Sequence, residues 1–359
     1  MGAALCLGPD VNCQVVAFLA PQPAKASASD GAASSGSDWL LPLLAVAPSA
    51  RQPLSAALVQ ALSTEMRRPS GRCRRVALVQ ALCLAAEEGD RCAVSALTSC
   101  TEDADPPMRA AAVKAIGRTA ARGDAASEAV VRRCLHDTCE EVAHAAMEAS
   151  KQLATPGDPD MLKALHGCLQ AEGHETRKKA LQTISEVGEI GDSTAMCLLA
   201  PGLEDCNRWV RVAAVEAVAK LAWRGDRQAI LAILPRLSDE NWSVRESALG
   251  AFAQVVEQGD DLAVAAVAAR LEDGYSTVRV AALQAISEMV PPSSREPMAS
   301  VRMRIFKDLD ADVRLEAIEA LVRMSETGDE DSIAALNLCA REDEDEDVRE
   351  AAESAVGRL

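Results

Sequence analysis

From about Pro53 onward the apolar positions of the chain fall three and four apart, the spacing that gathers them on one face of an α-helix. Around Arg211 the stripe is Val210, Ala214, Ala217 and Val218, and the same arrangement recurs at a fixed distance. Stepping from Arg245 by 34 residues lands on Arg211, Arg177, Ala143, Arg109 and Arg75 in one direction and on Arg279 in the other, and steps of 35 then reach Arg314 and Arg349. Each of these positions marks a buried helix, called B, whose Ala residues let neighbouring helices approach closely and favour the helix itself. Fourteen residues after the reference stand Gly89, Gly123, Gly157, Gly191, Gly225, Gly259 and Gly328, expected just past a helix end where a positive φ costs glycine nothing. An Asp follows each of them and is placed to cap a second helix, A. A further Asp column lies six residues before the reference, in the turn from A to B: Asp103, Asp137, Asp205, Asp239, Asp273, Asp308 and Asp343. Arg109, Arg177, Arg211, Arg245, Arg279 and Arg314 with Asp205, Asp239 and Asp273 therefore predict a ladder of charge-assisted hydrogen bonds between stacked repeats.

A 34-residue helix pair is compatible with several repeat families. Tetratricopeptide repeats need Trp, Tyr and Phe in every unit, and the chain has 4 Trp, 1 Tyr and 3 Phe for about nine repeats. Ankyrin's T-P-L-H is absent. The sequence Val210-Arg211-Val212-Ala213-Ala214-Val215-Glu216-Ala217-Val218 with Gly225-Asp226 resembles the short form of the HEAT repeat, and the resemblance covers roughly residues 53–359. It implies an all-α fold, an α-α superhelix of about nine two-helix repeats of 34 to 35 residues with an armadillo-type winding, A helices on the convex side and B helices on the concave side. Residues 1–52 are expected to form a low-complexity tail, since Pro21–Ser37 is Ala, Ser, Gly and Pro with little apolar bulk. Ala143 and Ser150 make the third unit irregular, and Pro291-Pro292-Ser293-Ser294 replaces the Gly-Asp turn before the eighth.

Charge narrows the partners. There are 54 acidic and 37 basic residues, a net charge of −17, the wrong sign for neutralising a phosphate backbone, so no nucleic-acid partner is expected. Between Asp308 and Leu359 stand 17 acids and 5 bases, which puts most of the surplus at the C-terminal end. The 12 Cys form no C-x-x-C pair and no credible secretory signal or membrane span precedes the repeats, which points to a soluble chain in a reducing compartment, the cytoplasm above all.

No residue constellation in the sequence carries a catalytic pattern. Deoxyhypusine hydroxylase, a catalytic relative among short HEAT solenoids, holds two irons with four His-Glu dyads after the repeat arginine, whereas His144 is followed by Ala145 and the one dyad, His174-Glu175, precedes Arg177. Phycobilin lyases carry a pigment on the concave face, and no pigment-facing cluster stands out here. Asp308, Asp310, Asp312 and Glu319 mimic part of a calcium loop, but Val313 occupies the position that demands Gly. Glu342–Asp347, six acids in succession, suit a solvated turn or a landing site for a basic partner. Cys100, Cys134 and Cys168 share one helix A column and are expected to stay reduced. No catalytic, cofactor or metal residue is assigned. Trp209, Trp242 and Tyr275 fall in three successive A-to-B turns and suggest an aromatic ridge, while helix B positions one, five and nine after the reference, among them Lys178, Glu216, Lys220 and Glu246, should line a polar groove. The resulting expectation is a non-catalytic protein-binding scaffold or adaptor without a cofactor, acting as a monomer or as a subunit of a larger assembly. A HEAT-like enzyme or enzyme accessory subunit is the alternative.

Overall fold

The computed structural model describes residues 56–66, 72–291 and 294–359, so the predicted tail lies outside the described residues, as do Pro292 and Ser293 of the irregular turn. Every regular element among the described residues is helical. The chain forms two compact units that divide after Cys168.

In the first unit, α1 (Ala56–Met66) and α2 (Arg72–Ala85) are followed by α3 (Arg91–Cys100), α4 (Pro106–Thr119), α5 (Ala125–Cys134), α6 (Glu140–Leu153) and α7 (Pro159–Gly167). The B helices α2, α4 and α6 lie side by side, and α1, α3 and α5 each pack on the B helix of their own pair. The second unit opens with helix B α8 (His174–Val187) and continues as four pairs and one last pair of the same kind: α9 (Ser193–Leu203) with α10 (Arg208–Leu221), α11 (Arg227–Ile233) with α12 (Trp242–Val255), α13 (Asp261–Ala268) with α14 (Ser276–Met289), α15 (Arg295–Lys307) with α16 (Ala311–Met324), and α17 (Glu330–Glu342) with α18 (Glu346–Val356). Here too consecutive B helices pack against one another. Helix α11 tightens into a 3₁₀ turn over Leu234–Ser238, where Pro235 has no amide to donate to the α-helical pattern.

The predicted stripe is the core. Val210, Ala214, Val218 and Leu221 of α10 are buried, as are Val278, Ala282, Ala285 and Ile286 of α14. Burying a Val, Leu or Ile side chain of this kind is worth roughly 1.5–3 kcal/mol. The seven column glycines all have positive φ, between 72° and 86°. They do not sit directly past helix B. Gly225 lies three residues beyond the cap of α10, Ala222, in a turn closed by the Asp226 amide donating to the Trp223 carbonyl at 3.1 Å. Its own amide donates to the carbonyl of Val255, the last residue of the next B helix, at 2.6 Å. Gly89, Gly123, Gly191 and Gly259 make the same bond to Thr119, Leu153, Leu221 and Met289, which satisfies a helix-end carbonyl that has no partner inside its own helix. The following Asp caps helix A as the pattern predicts: Asp226 accepts from the amides of Gln228 and Ala229. Asp329 departs from this by accepting from the Ser332 hydroxyl instead.

The repeat arginines before the last, Arg349, cross to the next repeat. Arg211 donates from Nε and Nη2 to both carboxylate oxygens of Asp239 at 2.9 and 2.7 Å, while its Nη1 donates to the Asp205 carbonyl of its own turn at 2.9 Å. Asp239 in turn accepts from the Asn241 amide at the start of α12, so one carboxylate joins the rung to a helix start. Arg109 with Asp137, Arg177 with Asp205, Arg245 with Asp273 and Arg314 with Asp343 repeat the two-pronged geometry, and Arg75 pairs with Asp103. The pairing also survives the irregular turn, since Arg279 reaches Asp308 at 2.6 and 2.8 Å across 29 residues where the earlier rungs span 28. At one place both halves are missing together. Ala143 stands at the arginine position and Ala171 at the aspartate position of the two columns.

Burial alone would raise the Asp239 carboxyl, but the Arg211 guanidinium and the Asn241 amide outweigh it and hold the group below the ordinary aspartate range. Arg211→Ala strands a buried carboxylate whose side chain is 4% exposed, and the expected loss is about 3 kcal/mol of unfolding free energy in a urea titration. An unchanged midpoint would remove the ladder from the account of stability. Because Asp205, Asp239, Asp273 and Asp308 titrate below the unfolded value of about 3.9, their contribution is complete above that pH and is lost as pH falls through the folded pKa. Wild-type stability is therefore expected to decline steeply below about pH 4, and a flat profile from pH 6 to about pH 2 would contradict it.

Candidate functional site

The second unit carries an open cleft of about 570 Å³ between the B helices α10 and α12. Its lining has a clear register. Trp209, Val212, Glu216 and Lys220 come from α10 at helical spacing, and Ser243, Glu246, Gly250 and Gln254 come from α12. Three of the charged residues predicted to line a groove, Glu216, Lys220 and Glu246, are thus brought together with Trp209, one member of the predicted ridge. Lys178, on α8, does not line this cleft but is close enough for its charge to act on Glu216. Glu216 reaches solvent, yet the cleft walls exclude enough water to raise its carboxyl above the ordinary glutamate range against the pull of Lys178. A site of this size that is open and mixes charged side chains with apolar wall suits a segment of polypeptide better than a compact small molecule, which wants an enclosed apolar pocket.

The other two ridge residues behave differently. Trp242 and Tyr275 stack, with ring centroids 6.0 Å apart and planes 22° from parallel, and the Arg245 guanidinium lies 5.7 Å from the Tyr275 centroid. Trp209 instead carries Arg208 over its own ring at 4.7 Å. The ridge is therefore a stacked pair on the A-to-B edge plus a separate tryptophan at the mouth of the cleft. Trp209 and Tyr275 remain 45% and 53% exposed. Leu309, in the next-but-one exposed A-to-B turn position after Trp242, is 95% exposed and adds an apolar group that the residue pattern did not single out.

Most of the remaining candidates have structural work. Asp308 is a rung acceptor and Asp310 caps α16, so the calcium-like spacing is occupied by helix-start chemistry. In the acidic run, Asp343 pairs with Arg314 and Asp345 caps α18. Cys100, Cys134 and Cys168 are buried free thiols, and burial pushes Cys168 up to about 11. His136 lies against Gly167, and His174 and Glu175 form an exposed pair at 3.5 Å. Among the described residues, no group of three or more His, Cys, Asp and Glu side chains could hold a metal ion, and no helix is long and apolar enough to cross a membrane. A second set of arginines went unnoticed in the sequence because it is not strictly periodic. Arg236 and Arg304, at the ends of A helices, donate to the Leu203 and Leu271 carbonyls one repeat back, at 2.9 and 3.3 Å.

The fold and the cleft together define an α-solenoid of stacked helix pairs with an exposed polypeptide-sized groove. The family model for HEAT repeats matches residues 196–287 and 265–357, so this region is built of HEAT repeats, and the same rung and glycine columns continue N-terminal to it. No curated protein matches the sequence. Solved structures similar in fold include Kap95 in a complex with Nup1 (TM-score 0.65, 14% identity, 98% of this chain and 52% of that one) and Kap95p with RanGDP (0.64, 15%, 98% and 52%). A third is the karyopherin Kap121p bound to the extreme C-terminus of the protein phosphatase Cdc14p (0.58, 11%, 91% and 44%). The chain spans about half the length of these structures, and at such identities the likeness is one of fold.

Because Trp209 is half exposed and lies outside the buried stripe, Trp209→Ala is expected to change the unfolding free energy by less than about 1 kcal/mol. A larger loss in a urea titration would assign it a packing role instead.

Proposed function

We propose that the chain is a non-catalytic scaffold that binds partner proteins through the cleft between α10 and α12, with the Trp242–Tyr275 edge as a secondary contact. The observation that carries this reading is an exposed tryptophan at the mouth of an open cleft whose carboxylates, Glu216 and Glu246, form no ion pair with neighbouring side chains among the described residues. An exposed tryptophan is one of the side chains in which protein interfaces concentrate their binding energy, and the flanking carboxylates supply polar contacts beside it. Similar solenoids solved with bound protein segments support the same use of the fold. The buried free thiols suit a reducing compartment, which we take to be the cytoplasm.

Random peptides displayed on phage and selected on the purified full-length chain test the proposal. Selected peptides are expected to bind with micromolar Kd, to lose about tenfold in affinity with Trp209→Ala, and to lose less with Trp242→Ala plus Tyr275→Ala. Peptides that bind all the variants alike would place the interface elsewhere.

A further inference from the structure

One residue in the cleft is not explained by the fold. Five residues after each repeat arginine, or after its counterpart, stand Gln80, Lys114, Glu148, Gln182, Glu216, Gly250, Gln284, Glu319 and Ser354. The column is polar and mostly long, and Gly250 alone has no side chain. It sits in the middle of α12, where a glycine weakens a helix by about 1 kcal/mol relative to alanine. Other glycines inside helices have a packing reason. A Cβ at Gly117 would come within 2.8 Å of the Ala149 backbone, and one at Gly202 within 2.8 Å of Leu181 and 3.0 Å of Ala214. At Gly250 a Cβ would meet nothing within 4 Å. The missing side chain serves no neighbour in the protein. It opens a notch in the wall of the cleft.

What surrounds the notch defines what would enter it. Gly250 occupies the same repeat position as Glu216 on the facing helix, and Glu246 lies one turn before it on its own helix. Two carboxylates that form no ion pair within 4 Å among the described residues therefore flank the opening, facing the ammonium of Lys220 one turn further along α10 and, beyond the cleft lining, that of Lys178 on α8, whose charge acts on Glu216. Trp209 lies seven residues before Glu216, about 10 Å along the axis of α10 and on the same face. Its ring already takes one guanidinium, that of Arg208, and it remains 45% exposed. Val212, Ala219 and Ala251 supply apolar wall between these polar groups.

We propose that this cleft is a binding site for an arginine side chain presented by an extended segment of a partner protein, with Gly250 as the notch that admits it. The aliphatic stem lies against the Ala and Val wall. The planar guanidinium donates to Glu216 and Glu246 in the forked geometry that a carboxylate pair accepts and that an ammonium cannot reproduce. This assignment rests on the reading of the chain as a protein-binding scaffold and adds to it the chemistry of the ligand.

The test uses the peptide selection on the full-length chain, read position by position, with Gly250→Gln and the pair Glu216→Gln, Glu246→Gln as variants. Gly250→Gln restores the side chain found elsewhere in the column, begins from a Cβ with no atom within 4 Å, and is expected to raise the melting temperature. The selected peptides are expected to share one arginine, to lose about tenfold in affinity with Gly250→Gln, and to lose their preference for arginine over lysine at that position with the double Glu→Gln variant. Peptides that bind but share no arginine, or that bind Gly250→Gln as well as wild type, overturn the arginine site and leave the scaffold reading standing. Failure to select any peptide counts against both.

Discussion

The repeat arginine joins three elements whose apolar contacts alone would not fix their register. Its Nη1 holds the A-to-B turn of its own repeat, its other two donors hold the aspartate of the next, and that aspartate accepts from the amide at the start of the next B helix. Apolar stripes of alanine and valine are non-directional and would tolerate slippage of one helix along another. A buried guanidinium and carboxylate do not, because any register that separates them leaves both charges uncompensated. The rung thus contributes less to raw stability than to choosing one stacking of the repeats.

The candidate binding surface depends directly on these rungs. Trp209 precedes Arg211 by two residues and Glu246 follows Arg245 by one, so the residues at the mouth of the cleft are placed by the side chains that lock α10 and α12 to their neighbours. The glycine amides perform the equivalent task at the opposite ends of the B helices, through bonds such as that from Gly225 to Val255. A groove pinned at both ends of its helices presents its polar groups with little freedom left to lose, which lowers the entropy cost of binding an extended partner. Glu216 and Glu246 can remain unpaired in this setting because the rungs, and not the cleft, satisfy the structural charge.

How much of this is legible before the structure is seen follows from periodicity. A solenoid repeats the same neighbour relation, so any residue that serves that relation recurs at the repeat length and shows in one sequence: the Arg and Asp columns, the positive-φ glycines and the caps of helix A all do. Even there the pattern misplaced a detail, setting glycine directly after helix B when it lies within the turn and donates to the following repeat. Residues that serve something other than the repeat relation do not recur. The Trp242–Tyr275 stack could not be told from three evenly spaced ring residues, because which rings meet depends on turn geometry and side-chain direction. Arg236 and Arg304 reach back to the preceding A helix from positions that shift by one between repeats, which blurs the column.

The amino-acid sequence by itself determined the helix pairs, their stacking order and the partners of the buried charges, because each is a nearest-neighbour property copied along the chain. Only the tertiary structure decided where the repeats leave an opening. Gly250 is an ordinary break in a polar column until α10 and α12 lie side by side, and its meaning comes from empty space that no spacing rule records.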